Sequence, residues 1–182
     1  HGEKFDIDLD NLPSKSGIRL PKYRTGNLTV LTGGTTGKSK QASRTLSVNT
    51  FLNPLAALVN QIGLHRFKSV YIPTPLYHGY GLAALNMAVL LRSNIIINGK
   101  FDAERACDLV EKHQIEVATL VPTMLQKMME TKKDIGSLKR ILCGGAPLSS
   151  KLATLVLANQ PDALYNLYGT SEAGFCVIAS PA

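Results

Sequence analysis

Nine consecutive residues, Thr32-Gly33-Gly34-Thr35-Thr36-Gly37-Lys38-Ser39-Lys40, are all glycine, hydroxyl-bearing or lysine, and they follow an apolar run directly. That composition suits a phosphate cradle. Glycines let the backbone approach oxyanions and aim successive N–H groups at them, hydroxyls add neutral donors, and lysines neutralise charge. A polar surface turn is the plain alternative. Residues Thr32 to Ser39 miss the phosphate-loop pattern G-x-x-x-x-G-K-[ST] only at its first glycine. Such a loop also wants a strand ending in Asp to hold magnesium and a helix on which the phosphates sit. No apolar run here ends in Asp, and Gln41-Ala42-Ser43-Arg44-Thr45 does not open an apolar-faced helix. A nucleotide-hydrolysing phosphate-loop protein is therefore a rival reading of this stretch.

Three further stretches could do chemistry. Pro75-Leu76-Tyr77-His78-Gly79-Tyr80-Gly81 places a histidine among aromatics and glycines just beyond an apolar run, where α/β sheets open towards ligands. A lone histidine there is more often a helix cap or a core contact. Gly144-Gly145-Ala146-Pro147-Leu148 carries almost no side-chain bulk, and Asn166-Leu167-Tyr168-Gly169-Thr170-Ser171-Glu172 combines an amide, an aromatic, two hydroxyls and an acid. On bland readings Tyr168 is core and Glu172 is an exposed carboxylate favoured by a helix dipole.

Together these stretches resemble the adenylate-forming superfamily of acyl-CoA synthetases, luciferases and peptide-synthetase adenylation domains. The loop Thr32 to Lys40 is similar to that family's T-S-G-T-T-G-x-P-K, with Gly33 in place of Ser and Ser39 in place of Pro. Pro75 to Gly81 looks like the segment lining the acyl pocket, Gly144 to Leu148 resembles the adenine-side loop, and Tyr168 to Glu172 resembles Y-G-x-T-E, with Ser171 replacing Thr. The resemblance implies an ATP-dependent acid–CoA ligase, in which a carboxylate attacks the α-phosphorus of ATP and coenzyme A then takes the acyl group. In that reaction Thr35, Thr36 and Lys40 would hold the β- and γ-phosphates within a loop completed by Thr32, Gly33, Gly34, Gly37 and Lys38. Ser171 would donate to the α-phosphate, and Glu172 would coordinate Mg2+ through oxygen. Tyr168 offers adenine a flat face, and Asn166 carries the donor and acceptor that the purine edge needs. Gly144, Gly145, Ala146 and Pro147 would bring the backbone close to the base, and Gly169 and Thr170 complete the signature. His78 would orient the acyl carboxylate, with Tyr77, Gly79 and Tyr80 shaping the pocket.

Peptide-synthetase domains usually place an Asp in this region to pair with an amino group, and Pro75 to Gly81 has no acid. That favours a plain carboxylic acid, fatty or otherwise, over an amino acid. Fatty acid metabolism is one setting for such a ligase; an adenylation domain loading a carrier protein is the nearer alternative. The family's ribose-binding Asp and the catalytic Lys of its C-terminal lid domain have no counterpart before Ala182. On this reading the sequence is an internal fragment of the large AMP-binding domain, spanning 27–182 behind a polar lead-in at 1–26, and it is inactive alone.

These residues need a scaffold, and the sequence patterns one. Leu28 to Leu31, Ser69 to Ile72, Asn94 to Ile97, Val117 to Leu120, Arg140 to Leu142 and Phe175 to Ile178 read as short strands. Between them lie helices. One starts at Pro122 and turns Val121, Met124, Leu125, Met128 and Met129 inward; Asp102 caps a second over Ala106, Leu109 and Val110; Ser149 caps a third over Leu152, Leu155 and Val156. Alternating strands and helices imply an α/β fold, a largely parallel sheet with helices on both faces.

Composition narrows the rest. The chain has 182 residues, 45% hydrophobic and 18% charged, which excludes intrinsic disorder. The apolar run Leu82 to Leu91 is about half of what a membrane-spanning helix needs, so no transmembrane segment is expected. A formal net charge of +7 favours anionic partners, but Lys132, Lys133, Lys139 and Arg140 lack the interleaved aromatics of a nucleic-acid surface. Cys107, Cys143 and Cys176 are widely spaced in apolar surroundings and read as small buried hydrophobes of a cytoplasmic protein.

Overall fold

A computed structural model describes residues 28–32, 40–44, 56, 58–170 and 174–181. Strand β1 (Leu28–Thr32) pairs antiparallel with β2 (Lys40–Arg44) in a sheet of two, with Thr32 opposite Lys40. The larger sheet is built from β3 (Ser69–Tyr71), β4 (Asn94–Ile96), β5 (Val117–Leu120), β6 (Arg140–Gly144), β7 (Leu164–Thr170) and β8 (Gly174–Ala179). Its order is β4-β3-β5-β6-β7-β8, parallel from β4 to β7, with β8 antiparallel at the edge. Helices α1 (Gly79–Leu90), α2 (Ala103–Lys112), α3 (Pro122–Glu130) and α4 (Ser150–Asn159) link successive strands from β3 to β7. The largely parallel architecture follows from that alternation, because parallel neighbours need a crossover long enough to hold a helix.

Both faces of the sheet are covered at its central strands, residue by residue. Tyr71, Ala118, Leu120, Ile141, Cys143 and Leu164 pack under α2, α3 and α4. Val70, Ile72, Val117, Leu142, Tyr165 and Leu167 turn to the opposite face, under α1 and the helical residues 58–62. Adjacent residues thus serve different cores, as the period of two in a pleated strand requires.

The helix starts follow local chemistry. The Asp102 carboxylate accepts from the Arg105 backbone N–H at 2.9 Å, and the Ser149 hydroxyl from that of Leu152 at 3.3 Å. Pro122 opens α3, where its missing N–H costs nothing, and Leu125 and Met128 are buried. Leu155 departs from expectation. It is 49% exposed, whereas Leu152 and Val156 are buried. One residue along a helix is a rotation of about 100°, which carries Leu155 off the sheet-facing line and onto the rim of a cavity between α3 and α4.

Two of the basic side chains have internal work. The Lys133 ammonium bridges Glu104 at 2.7 Å and Asp108 at 2.6 Å, and these two carboxylates raise its pKa. The Arg140 guanidinium lies 5.1 Å from the Phe67 ring and 5.3 Å from the Tyr165 ring, and it donates to the Ile62 carbonyl at 2.9 Å. These cations pin a loop to α2 and the start of β6 to its surroundings. Cys107 and Cys143 are buried as expected, and burial pushes the Cys143 thiol up to about 12. Cys176 is exposed instead, as is Val177 on the other face of β8, since none of the described residues covers either face there. No helix among the described residues is long and apolar enough to cross a membrane.

Candidate active site

The connection from β3 runs through α1 to β4 on one side, and that from β5 runs through α3 to β6 on the other. Neighbouring strands whose connections diverge leave a crevice at their carboxyl ends, the place where open α/β sheets take ligands. The segment Pro73 to His78 leaves β3 at this edge, Val121 leaves β5, and Gly144 to Pro147 leaves β6. Strand β7 overshoots. Leu167 is paired with Gly144, the last residue of β6, so Tyr168, Gly169 and Thr170 extend past the end of their parallel neighbour. Residues far apart in sequence are thereby gathered along one edge of one sheet.

His78 stands at the N-cap position of α1 with extended backbone, yet its side chain makes no capping bond. Its ring is exposed and lies 4.4 Å from the Tyr77 ring, itself 80% exposed. Neither bland reading of the histidine therefore holds. Tyr80 is placed differently from Tyr77. Its hydroxyl donates to the Leu142 carbonyl over 2.7 Å, and burial raises its pKa, so the phenol is a neutral donor committed to the backbone.

The glycines of this edge answer to close approaches. A Cβ on Gly144 would sit 3.0 Å from the Leu167 carbonyl oxygen, and Gly145 takes φ +79°. A left-handed backbone angle favours glycine over any residue with a Cβ. Gly145, Ala146 and Pro147 are exposed, while Leu148 packs partly into the core ahead of the Ser149 cap. Asn166 is half-buried on β7. Tyr168 is 63% exposed, which removes the core reading and leaves a ring face available for stacking. The pairing with β8 shifts register between Tyr168 and Gly169, an irregularity of the kind a β-bulge makes.

Thr74 was not singled out by sequence, and it is the odd polar group here. It is 4% exposed, and its hydroxyl oxygen is buried without a hydrogen-bond partner among the described residues. Its neighbours Pro73 and Pro75 lack backbone N–H groups to offer it. An unsatisfied buried hydroxyl costs about 1–3 kcal/mol. Thr74→Val should therefore leave the melting temperature unchanged or raise it; a drop of several degrees would show that the hydroxyl is paired in solution.

Thr32 and Lys40 are placed as the facing ends of the β1–β2 ladder, so the glycine-rich loop joins two antiparallel strands. A phosphate-loop protein has a helix after this loop, and here residues 40–44 are a strand. The nucleotide-hydrolysing reading is corrected on that ground. Gly33, Gly34, Thr35, Thr36, Gly37 and Lys38 lie outside the described residues, as do Ser171 and Glu172 between β7 and β8. Among the described residues no group of three acidic, histidine or cysteine side chains is gathered to hold a metal ion.

Comparison with known proteins bears on this edge. The family described as AMP-binding enzyme matches residues 28–182. A probable CoA ligase of Humulus lupulus is 30% identical over 169 residues, covering 88% of this chain and 30% of that protein. A 2-succinylbenzoate–CoA ligase of Bacillus licheniformis is 32% identical over 117 residues, covering 64% of this chain and 24% of that protein. The crystal structure of ATP-bound MatB from Rhodopseudomonas palustris superposes with a TM-score of 0.70 at 26% identity, over 84% of this chain and 30% of that one. The chain thus spans about 30% of the length of the Humulus relative.

Proposed function

Because this chain belongs to the AMP-binding enzyme family, we propose that it is a segment of the large domain of an AMP-forming acid–CoA ligase. A carboxylate oxygen attacks the α-phosphorus of ATP and pyrophosphate leaves; the sulfur of coenzyme A then attacks the acyl carbon and AMP leaves. The reading is carried by one arrangement: exposed Tyr168, the exposed Gly145–Pro147 backbone and exposed His78 all stand along the carboxyl edge where the sheet connections diverge. On this reading Tyr168 stacks on adenine, Asn166 meets the purine edge, and the backbone of Gly144 to Pro147 lines the base. Phosphates fall to the loop from Thr32 to Lys40, and magnesium enters with ATP and meets Glu172. Ser171 donates to the α-phosphate.

The acid belongs on the other wall, beside Tyr77 and His78. Pro75 to Gly81 supplies no carboxylate to pair with an ammonium, which supports a simple fatty or aromatic acid. Two buried thiols support a reducing, cytoplasmic setting. The remaining groups of the reaction, including a lid lysine, are not among the residues this reading assigns.

The test is pyrophosphate release from ATP by the full-length protein, screened over acetate, octanoate, palmitate and 4-coumarate, with and without coenzyme A. Release should require an acid, and a thioester should appear only with coenzyme A. The 182-residue chain alone should release none, because transition-state binding needs all contributing groups together. Nucleotide hydrolysis independent of any acid would overturn the assignment.

A further inference from the structure

Tyr80 touches both walls of the crevice. It lies in the first turn of α1, two residues beyond His78, and so moves with the segment that leaves β3. Its hydroxyl reaches the Leu142 carbonyl of β6 over 2.7 Å, although β5 separates β3 from β6 in the sheet. Its ring lies along the end of that strand. A Cβ on Gly144 would stand 3.6 Å from its Cζ, and one on Gly145 would stand 3.9 Å from its Cδ1. Two glycines without side chains thus form part of the surface against which this ring packs, and the Val121 Cγ1 stands 3.5 Å from the same Gly145 Cβ position.

We propose that Tyr80 is a positioning residue that couples acid binding to nucleotide binding, by tying the first turn of α1 to the Leu142–Gly145 backbone. The inference rests on the reading above, in which His78 faces the acid and Gly144 to Pro147 face the nucleotide. An acid seated against Tyr77 and His78 fixes the start of α1, the Tyr80 hydroxyl transmits that to Leu142, and the ring holds Gly144 and Gly145 where the base is received. Thermodynamic linkage makes the effect mutual, so bound nucleotide tightens acid binding by the same factor.

The experiment is calorimetric titration of the full-length protein with α,β-methylene-ATP, alone and with a saturating amount of the acid that best supports pyrophosphate release. For the parent protein the acid should tighten analogue binding about tenfold, within the usual range of coupling between sites. Tyr80→Phe keeps the ring and loses the hydroxyl; it should reduce that coupling below about twofold, whatever its affinity for the analogue alone. Val121→Ala disturbs the packing of the same loop without cutting the link, and it should retain the tenfold effect. Thermal melting confirms that both variants are folded. Coupling preserved in Tyr80→Phe, coupling abolished equally in Val121→Ala, or no coupling in the parent each overturns the role of Tyr80. Failure of the parent to bind the analogue at all overturns the nucleotide assignment, and the inference with it.

Discussion

Gly81→Ala is expected to destabilise the protein by at least about 3 kcal/mol, at the upper end of what overpacking usually costs. The added methyl would overlap the Pro75 carbonyl oxygen and sit 2.9 Å from both the Pro75 carbonyl carbon and the Thr74 carbonyl oxygen. All three are backbone atoms. The segment that carries them holds two prolines with fixed φ, and Gly81 lies in α1, so neither side can yield without moving an element. A whole domain is stable by only about 5–15 kcal/mol, so such a loss removes a large share of it. Thermal melting of the full-length variant is the measurement. A melting temperature within about 2 °C of the parent would mean that the loop accommodates the methyl.

The second large effect is expected in the paired substitution Lys40→Ala with Thr36→Val. On the proposed function both groups meet phosphate oxygens, and removing either the ammonium or the hydroxyl from a phosphate costs about 1.5–3 kcal/mol. If the two act independently, kcat/KM for ATP falls by roughly 10²–10⁴. Stability should change little, since Lys40 ends a two-stranded ladder whose backbone pairing to Thr32 survives the truncation. The discriminating measurement is acid-dependent pyrophosphate release at increasing ATP. Unaltered ATP dependence would remove the loop from the phosphate site.

Features written in neighbouring residues were legible in the sequence. Asp102, Ser149 and Pro122 announce helix starts through hydrogen bonds or geometry completed within one turn, and all three helices begin there. Val117 to Leu120, apolar but for one threonine, announced a strand buried on both faces. Strand β7 was missed because Leu-Tyr-Asn-Leu-Tyr-Gly-Thr mixes strand formers with Asn and Gly; its pairing with β6 and β8 decides its conformation. Strand β2, Lys-Gln-Ala-Ser-Arg, has no apolar run, and it was read only as failing to be a helix.

The crevice was legible as a set of motifs and not as a shape. Family resemblance assigned His78, Gly144 and Tyr168 to one site, and the strand order places all three along one sheet edge. The Tyr80 bond to Leu142 spans 62 residues, and no local pattern encodes it. The bulk-free pair Gly144-Gly145 was read as room for a base; the close approaches of Leu167 and Tyr80 show that it is also room for the protein's own chain. Exposure likewise depends on what lies opposite, which is why Leu155 and Cys176 escaped a reading by residue type.

The strand order also bears on when the crevice can form. From β5 to β7 each strand pairs with the next in sequence, so these units close short loops around one helix apiece. The β3–β5 pair is different: Val70 meets Val117 only after the whole of α1, β4 and α2 has been accommodated. Closing a longer loop costs more chain entropy, and non-local pairing slows folding. The wall carrying Tyr77 and His78 should therefore join after β5, β6 and β7 have assembled. The two walls of the crevice meet at a late seam in the folding order, and a slow step in refolding is to be sought there.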